Sequence, residues 1–126
     1  MKTQGEIESA ISAGMNRFEQ EYMGRGPKDV HAFLLGDLVV VRLKGVLTAA
    51  EQHLVKTVSP EKGRDLLKQV RTHLIEVARP TLASMIEEIT GTKVVTLHHD
   101  ISTLSGEEVV LFTLDDSPVF RQTTKR

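Results

Sequence analysis

The sequence predicts an α+β domain: an antiparallel four-stranded sheet built from two β-hairpins, with helices packed on one face, in the order α-β-β-α-α-β-β. Three observations lead there. Apolar residues recur every three or four positions in two long stretches, each closed by a glycine. Two pairs of strand-like runs are each joined by a short glycine-containing turn. The 126 residues, 40% hydrophobic and 26% charged, suit one globular domain and exclude a wholly disordered chain.

Thr3-Gln4-Gly5-Glu6 has the form of a capping box and opens the first helix. Ile7, Ala10, Ile11, Gly14, Met15, Phe18 and Tyr22 share its apolar face, and Glu8, Asn16, Arg17, Glu19, Gln20 and Glu21 are left toward water. Gly24 suits the left-handed position after the helix, and Pro27 prevents its continuation. Runs 29–35 and 38–43 then form a hairpin, with Gly36 supplying the positive φ of a type II′ turn. The second run is apolar on both faces, Leu38 and Val40 on one and Val39, Val41 and Leu43 on the other, so both faces are expected to be covered.

Thr48-Ala49-Ala50-Glu51 repeats the capping box and opens a short helix to about Thr57; Ser59-Pro60 starts another that runs to Thr90. Leu67, Val70, Leu74, Val77, Ala78, Leu82, Met85, Ile86 and Ile89 mark its apolar side, Pro80 is expected to kink it, and Gly91 ends it. Runs 93–101 and 107–114 make the second hairpin around a turn at 102–106. Ser105-Gly106-Glu107-Glu108 also matches a capping box, but the strand-like run after it overrides that reading. Residues 1–116 thus read as one domain and 117–126 as a flexible tail. Because the last strand is also apolar on both faces, the simplest cover for the second sheet face is another copy, and a homodimer is expected.

Composition narrows the function. Sixteen Lys and Arg against 17 Asp and Glu, with one Tyr, four Phe and no Trp, argue against a nucleic-acid binder. The absence of cysteine removes thiolate metal sites and Cys nucleophiles. The longest strictly apolar run, Leu38–Val41, is far short of a spanning helix or a signal-peptide core, so a soluble, cytoplasmic chain is expected.

Gly24-Arg25-Gly26-Pro27-Lys28 joins two glycines to two cations and suits the approach of an anion. It lacks the spacing of a nucleotide phosphate loop and follows a helix, so the plainer reading is a helix cap leading into a strand. His98 and Asp100 share one strand face and, with His31, would suit zinc, but two ligands two residues apart are a weak signal. Neither a nucleophile elbow nor a His-Glu-x-x-His helix occurs, and no catalysis, cofactor or metal is expected. Arg64, Lys68 and Arg71, with His73 and Arg79 nearby, form a basic stripe that reads as a solvated helix face.

Taken in order, Gly24-Arg25-Gly26-Pro27, the strand at 37–43, Gly45-Val46-Leu47-Thr48-Ala49-Ala50-Glu51, Val70-Arg71, the Arg79…Leu82…Ile86-Glu87 helix and Thr90-Gly91 resemble the MpsC-type family of small bacterial proteins. The resemblance covers residues 5–115. It implies an association with a sodium-translocating system that generates membrane potential, in which a chain without a membrane span would be an accessory subunit or regulator docking on a membrane-protein partner. It carries over no catalytic residues, and Arg25, Arg42, Arg71 and Arg79 are the matching positions to test. The resulting expectation is a non-enzymatic, dimeric module acting by protein–protein interaction. The alternative is an anion- or metabolite-sensing protein that uses the Gly24–Pro27 turn, with Arg25, Lys28, Arg42, Arg71 and Arg79 as ligand-binding residues. A metal-dependent enzyme at His98 and Asp100 comes third.

Overall fold

The Thr3 capping box forms in full. The Thr3 hydroxyl accepts from the Glu6 amide at 3.2 Å, and the Glu6 carboxylate accepts from the Thr3 amide at 2.8 Å. It opens α1 (Gln4–Tyr22), which ends at a Met23 cap followed by Gly24 at φ +89°. These features come from a computed structural model that describes residues 1–57 and 60–121. The first hairpin pairs β1 (Asp29–Leu35) with β2 (Leu38–Lys44). Gly36 has φ +63° while Asp37 keeps a negative φ, the combination of a type II′ rather than a type I′ turn.

Thr48 caps α2 (Ala49–Thr57) by the same reciprocal pair of bonds, to and from Glu51. The 31-residue α3 (Pro60–Thr90) follows; its expected Ser59 cap lies outside the described residues. This helix runs on through Pro80, which sits on an exposed turn where the unbonded Glu76 carbonyl can take water. Two glycines let the other helices approach α3. A Cβ at Gly63 would come within 3.0 Å of the Val55 backbone, and one at Gly14 within 2.8 Å of the Met85 sulfur. The second hairpin pairs β3 (Val94–Ile101) with β4 (Glu108–Leu114), and β4 lies beside β2, giving one antiparallel sheet in the order β1-β2-β4-β3.

Alternation along the strands sends Ala32, Leu34, Val39, Val41, Leu43, Leu97, Ile101, Val110, Phe112 and Leu114 to one face. There they meet Ile7, Ile11 and Met15 of α1 and Leu67, Ile75, Ala78, Leu82 and Ile86 of α3, and α2 packs along α3. Each of these side chains larger than alanine contributes roughly 1.5–3 kcal/mol by leaving water. The apolar stripe of α3 is narrower than its sequence suggests. Val70 and Val77 are 52% and 58% exposed, and Tyr22 of α1 is also exposed, stacked on Phe18 at 5.0 Å. One helix face cannot hold every apolar residue in the α3 pattern; the line through Leu67, Arg71, Ile75, Ala78 and Leu82 takes the core.

In the segment after the second hairpin, Pro118 is buried and Phe120 packs against the core. The Arg121 amide donates to the Lys2 carbonyl at 2.7 Å, and Arg121 forms a parallel bridge with Thr3.

Candidate functional site

The five arginines and lysines singled out from the sequence do not converge. Arg25 and Lys28 share a cleft. Arg42 lies on the outer sheet face, paired with the Glu107 carboxylate. Arg79 is on α3, where its guanidinium reaches the Val95 carbonyl at 3.4 Å. Arg71 is in the core, 2% exposed, which corrects its assignment to a solvated basic stripe. Arg64 and Lys68 do face water, the first beside Asp65 and the second bonded to Asp100 at 3.1 Å, a bond that also holds the Asp100 carboxyl below its ordinary range. His31 lies on β1 and His98 and Asp100 on β3, at opposite edges of the sheet, about 14 Å apart across three strand spacings. Among the described residues no group of three metal-ligating side chains converges.

Arg71 organises a buried charge network. Its Nη2 donates to the Val46 carbonyl at 3.0 Å and to Glu51 at 3.1 Å, and its Nη1 donates to Glu108 at 3.5 Å. Glu19 stands 3.8 Å from Nη1, too far for a hydrogen bond. The His99 Nε2 meets the second Glu108 oxygen. Glu51 therefore serves two structures at once, the α2 cap and the Arg71 pair. Burial opposes its charge, but the bonds from Arg71 and the Thr48 amide hold its carboxyl below the ordinary range.

Glu19 receives no such support. Burial first, and the neighbouring Glu108 second, push its carboxyl from 4.5 up to about 8 against the pull of Arg71. Among the described residues, Glu19 Oε2, Arg71 Nε and His99 Nδ1 have no hydrogen-bond partner. At 1% exposure Glu19 is in the core, not on the water face of α1. Its spacing from Ile11 and Met15, eight and four residues, already placed it on the apolar stripe, and Glu108 likewise shares the parity of Val110, Phe112 and Leu114. The side-chain types concealed what the positions gave away.

Arg25 and Lys28 help line a cleft of about 340 Å³ together with Lys56 of α2 and the 103–106 loop. Arg25 Nη1 donates to the Leu47 carbonyl at 2.5 Å, and Gln52 donates to the same oxygen at 3.2 Å. Lys56 was not anticipated, because it lies 31 residues from Arg25 and no local pattern links them.

The outer face of the sheet carries the second apolar set of the strands. The register aligns Phe33, Val40, Leu111 and His98 in one row, and Leu35, Leu38, Thr113 and Thr96 in the next. A third row holds His31, Arg42, Val109 and Asp100. Leu35 is 60% and Phe33 46% exposed. The helices α1 and α3 pack on the opposite side, against the buried positions of these strands.

The sequence profile of the family described as "Na+-translocating membrane potential-generating system (MpsC)" matches residues 3–116. The chain belongs to the MpsC family. Two Bacillus subtilis (strain 168) proteins are similar along most of their length. "Uncharacterized protein YbcI" is 39% identical over 113 residues, 90% of this chain and 89% of that protein. "Uncharacterized protein YrhF" is 33% identical over 103 residues, 80% of this chain and 81% of that protein. No solved structure matches. The family description concerns sodium translocation, yet no helix among the described residues is long and apolar enough to cross a membrane.

Proposed function

We propose that this MpsC-family chain is a non-enzymatic accessory module of a membrane-potential system, dimeric through the outer face of its sheet and acting by protein–protein interaction in the cytoplasm. The observation that carries the reading is the two-sided apolar character of the sheet: one face is filled by α1 and α3, while Phe33, Leu35, Leu38, Val40, Val109 and Leu111 lie on the other. Three strands of this face span roughly 300–400 Å² in projection, the scale at which apolar patches mark interaction sites.

A second copy suits this face because its polar margin carries both signs. Arg42 beside Glu107 and Lys68 beside Asp100 balance, which favours a self-complementary contact over a strongly charged partner. The binding reading draws support from where the titratable groups lie. Arg71, Glu19 and Glu108 are shut in the core and line neither the basic cleft nor the groove between α1 and α3. An acid or base in that position has no route to a substrate.

Sedimentation equilibrium tests the proposal. The expected result is a species of twice the 14.0 kDa chain mass, with association tighter than on the order of 10 μM. Phe33→Asp should yield a folded monomer, and Val70→Glu on the exposed side of α3 should stay dimeric. A monomeric wild type at that concentration, or a dimer broken by Val70→Glu but not by Phe33→Asp, overturns the assignment.

A further inference from the structure

We propose that the cleft between the Arg25–Lys28 turn, α2 and the 103–106 loop binds the phosphate group of a small phosphorylated metabolite. Three cations from two segments of the chain line it: Arg25 and Lys28 in the turn between α1 and β1, and Lys56 near the end of α2. Its lining includes no Asp or Glu. In a chain of net charge −1 that grouping is not a by-product of composition. Arg42, Arg64, Lys68 and Arg121 each have a carboxylate within 4 Å; among the described residues Arg25, Lys28 and Lys56 have none. Other described cations such as Arg17, Lys44 and Lys62 also lack such a partner, but Arg25, Lys28 and Lys56 are the ones brought together in a cleft without an acid.

The site is shaped as well as charged. Gly45 has φ +66°, and a Cβ there would come within 2.7 Å of the Lys28 side chain, so the glycine lets the lysine stem lie against the backbone. The bond from Arg25 to the Leu47 carbonyl anchors one end of the guanidinium. Its remaining N–H groups have no protein acceptor among the described residues, which leaves them for an anion. Gln52, Thr103 and Ser105 supply further polar groups, and Leu47 and Val55 an apolar wall for the body of the ligand. A volume of about 340 Å³ is at the lower end of the range for small-molecule sites and is too small for a macromolecular groove. Arginine with two lysines matches a phosphate dianion better than a singly charged carboxylate.

This site does not depend on the dimer proposed above, since its residues lie outside the outer sheet face. The test is an amide NMR titration of the full chain with inorganic phosphate and with glycerol phosphate, alongside co-sedimentation with phosphatidylglycerol vesicles. We expect saturable shifts confined to residues 25–28, 45–47, 52–56 and 103–106, tighter with glycerol phosphate than with inorganic phosphate. Arg25→Ala should weaken binding by about tenfold or more, Lys56→Ala less, and Arg64→Ala not at all, with the rest of each spectrum unchanged. No saturation by about 10 mM, equal binding by Arg25→Ala, or vesicle binding without saturation by either free phosphate overturns the proposal.

Discussion

Replacing Glu19 by glutamine keeps the shape of a core side chain and removes its ionisation. In the folded chain the Glu19 carboxyl is pushed up to about 8 from 4.5, because it is buried beside Glu108 and Arg71 is already bonded to Glu51 and Glu108. Between those two values the unfolded chain has lost the Glu19 proton while the folded chain keeps it. The folded state then binds more protons than the unfolded one, and this group's contribution to stability falls as pH rises. Each unit is about 1.4 kcal/mol, so the loss between pH 4.5 and 8 is on the order of 4–5 kcal/mol. Glutamine escapes that loss but buries an amide with unmet hydrogen bonds, a pH-independent cost of about 1–3 kcal/mol.

The stability of Glu19→Gln relative to wild type should therefore climb steadily from pH 5 to pH 8, crossing from less stable to more stable. Urea denaturation followed by circular dichroism, at one protein concentration across that range, measures the difference, and contributions shared by both proteins cancel. A flat difference would mean instead that Glu19 is ionised in the fold and held by Arg71.

Arg71→Met should destabilise the chain by about 3–5 kcal/mol in the same assay, because Glu51 and Glu108 lose the cation they share in a buried setting. Gly45→Ala should cost about 1–3 kcal/mol, since its φ of +66° is strained for any side chain and the new methyl meets Lys28; if the cleft binds phosphate, the same variant should also weaken the NMR-detected saturation.

The element order and most of the boundaries were legible in the sequence because their signals are local. Two capping boxes, a Gly-Asp turn and glycines after helix ends act within four residues of the chain, and the structure uses each of them. What escaped was the interior of the charge network. Glu19, Arg71, Glu108 and His99 lie at core positions by periodicity, but each is costly to bury alone; Arg71, Glu108 and His99 are buried as partners of one another and Glu19 with its carboxyl pushed up, and that depends on how α1, α3, β3 and β4 pack. The basic cleft was half legible for a related reason. Arg25 and Lys28 are neighbours in sequence, whereas Lys56 joins them through the placement of α2. On α3, Val70 and Val77 follow the apolar pattern yet face outward, because the pattern is wider than the surface that α1, α2 and the sheet cover.

Isotope-filtered NMR on an equimolar mixture of ¹³C-labelled and unlabelled chains tests the dimer most directly, since it registers contacts only between copies. A dimer through the outer sheet face gives intermolecular methyl contacts from Leu35, Leu38, Val40 and Leu111, with none from Val70 or Val77. Intermolecular contacts confined to the α3 valines, or none at all in a sample that sediments as a dimer through another surface, would contradict it.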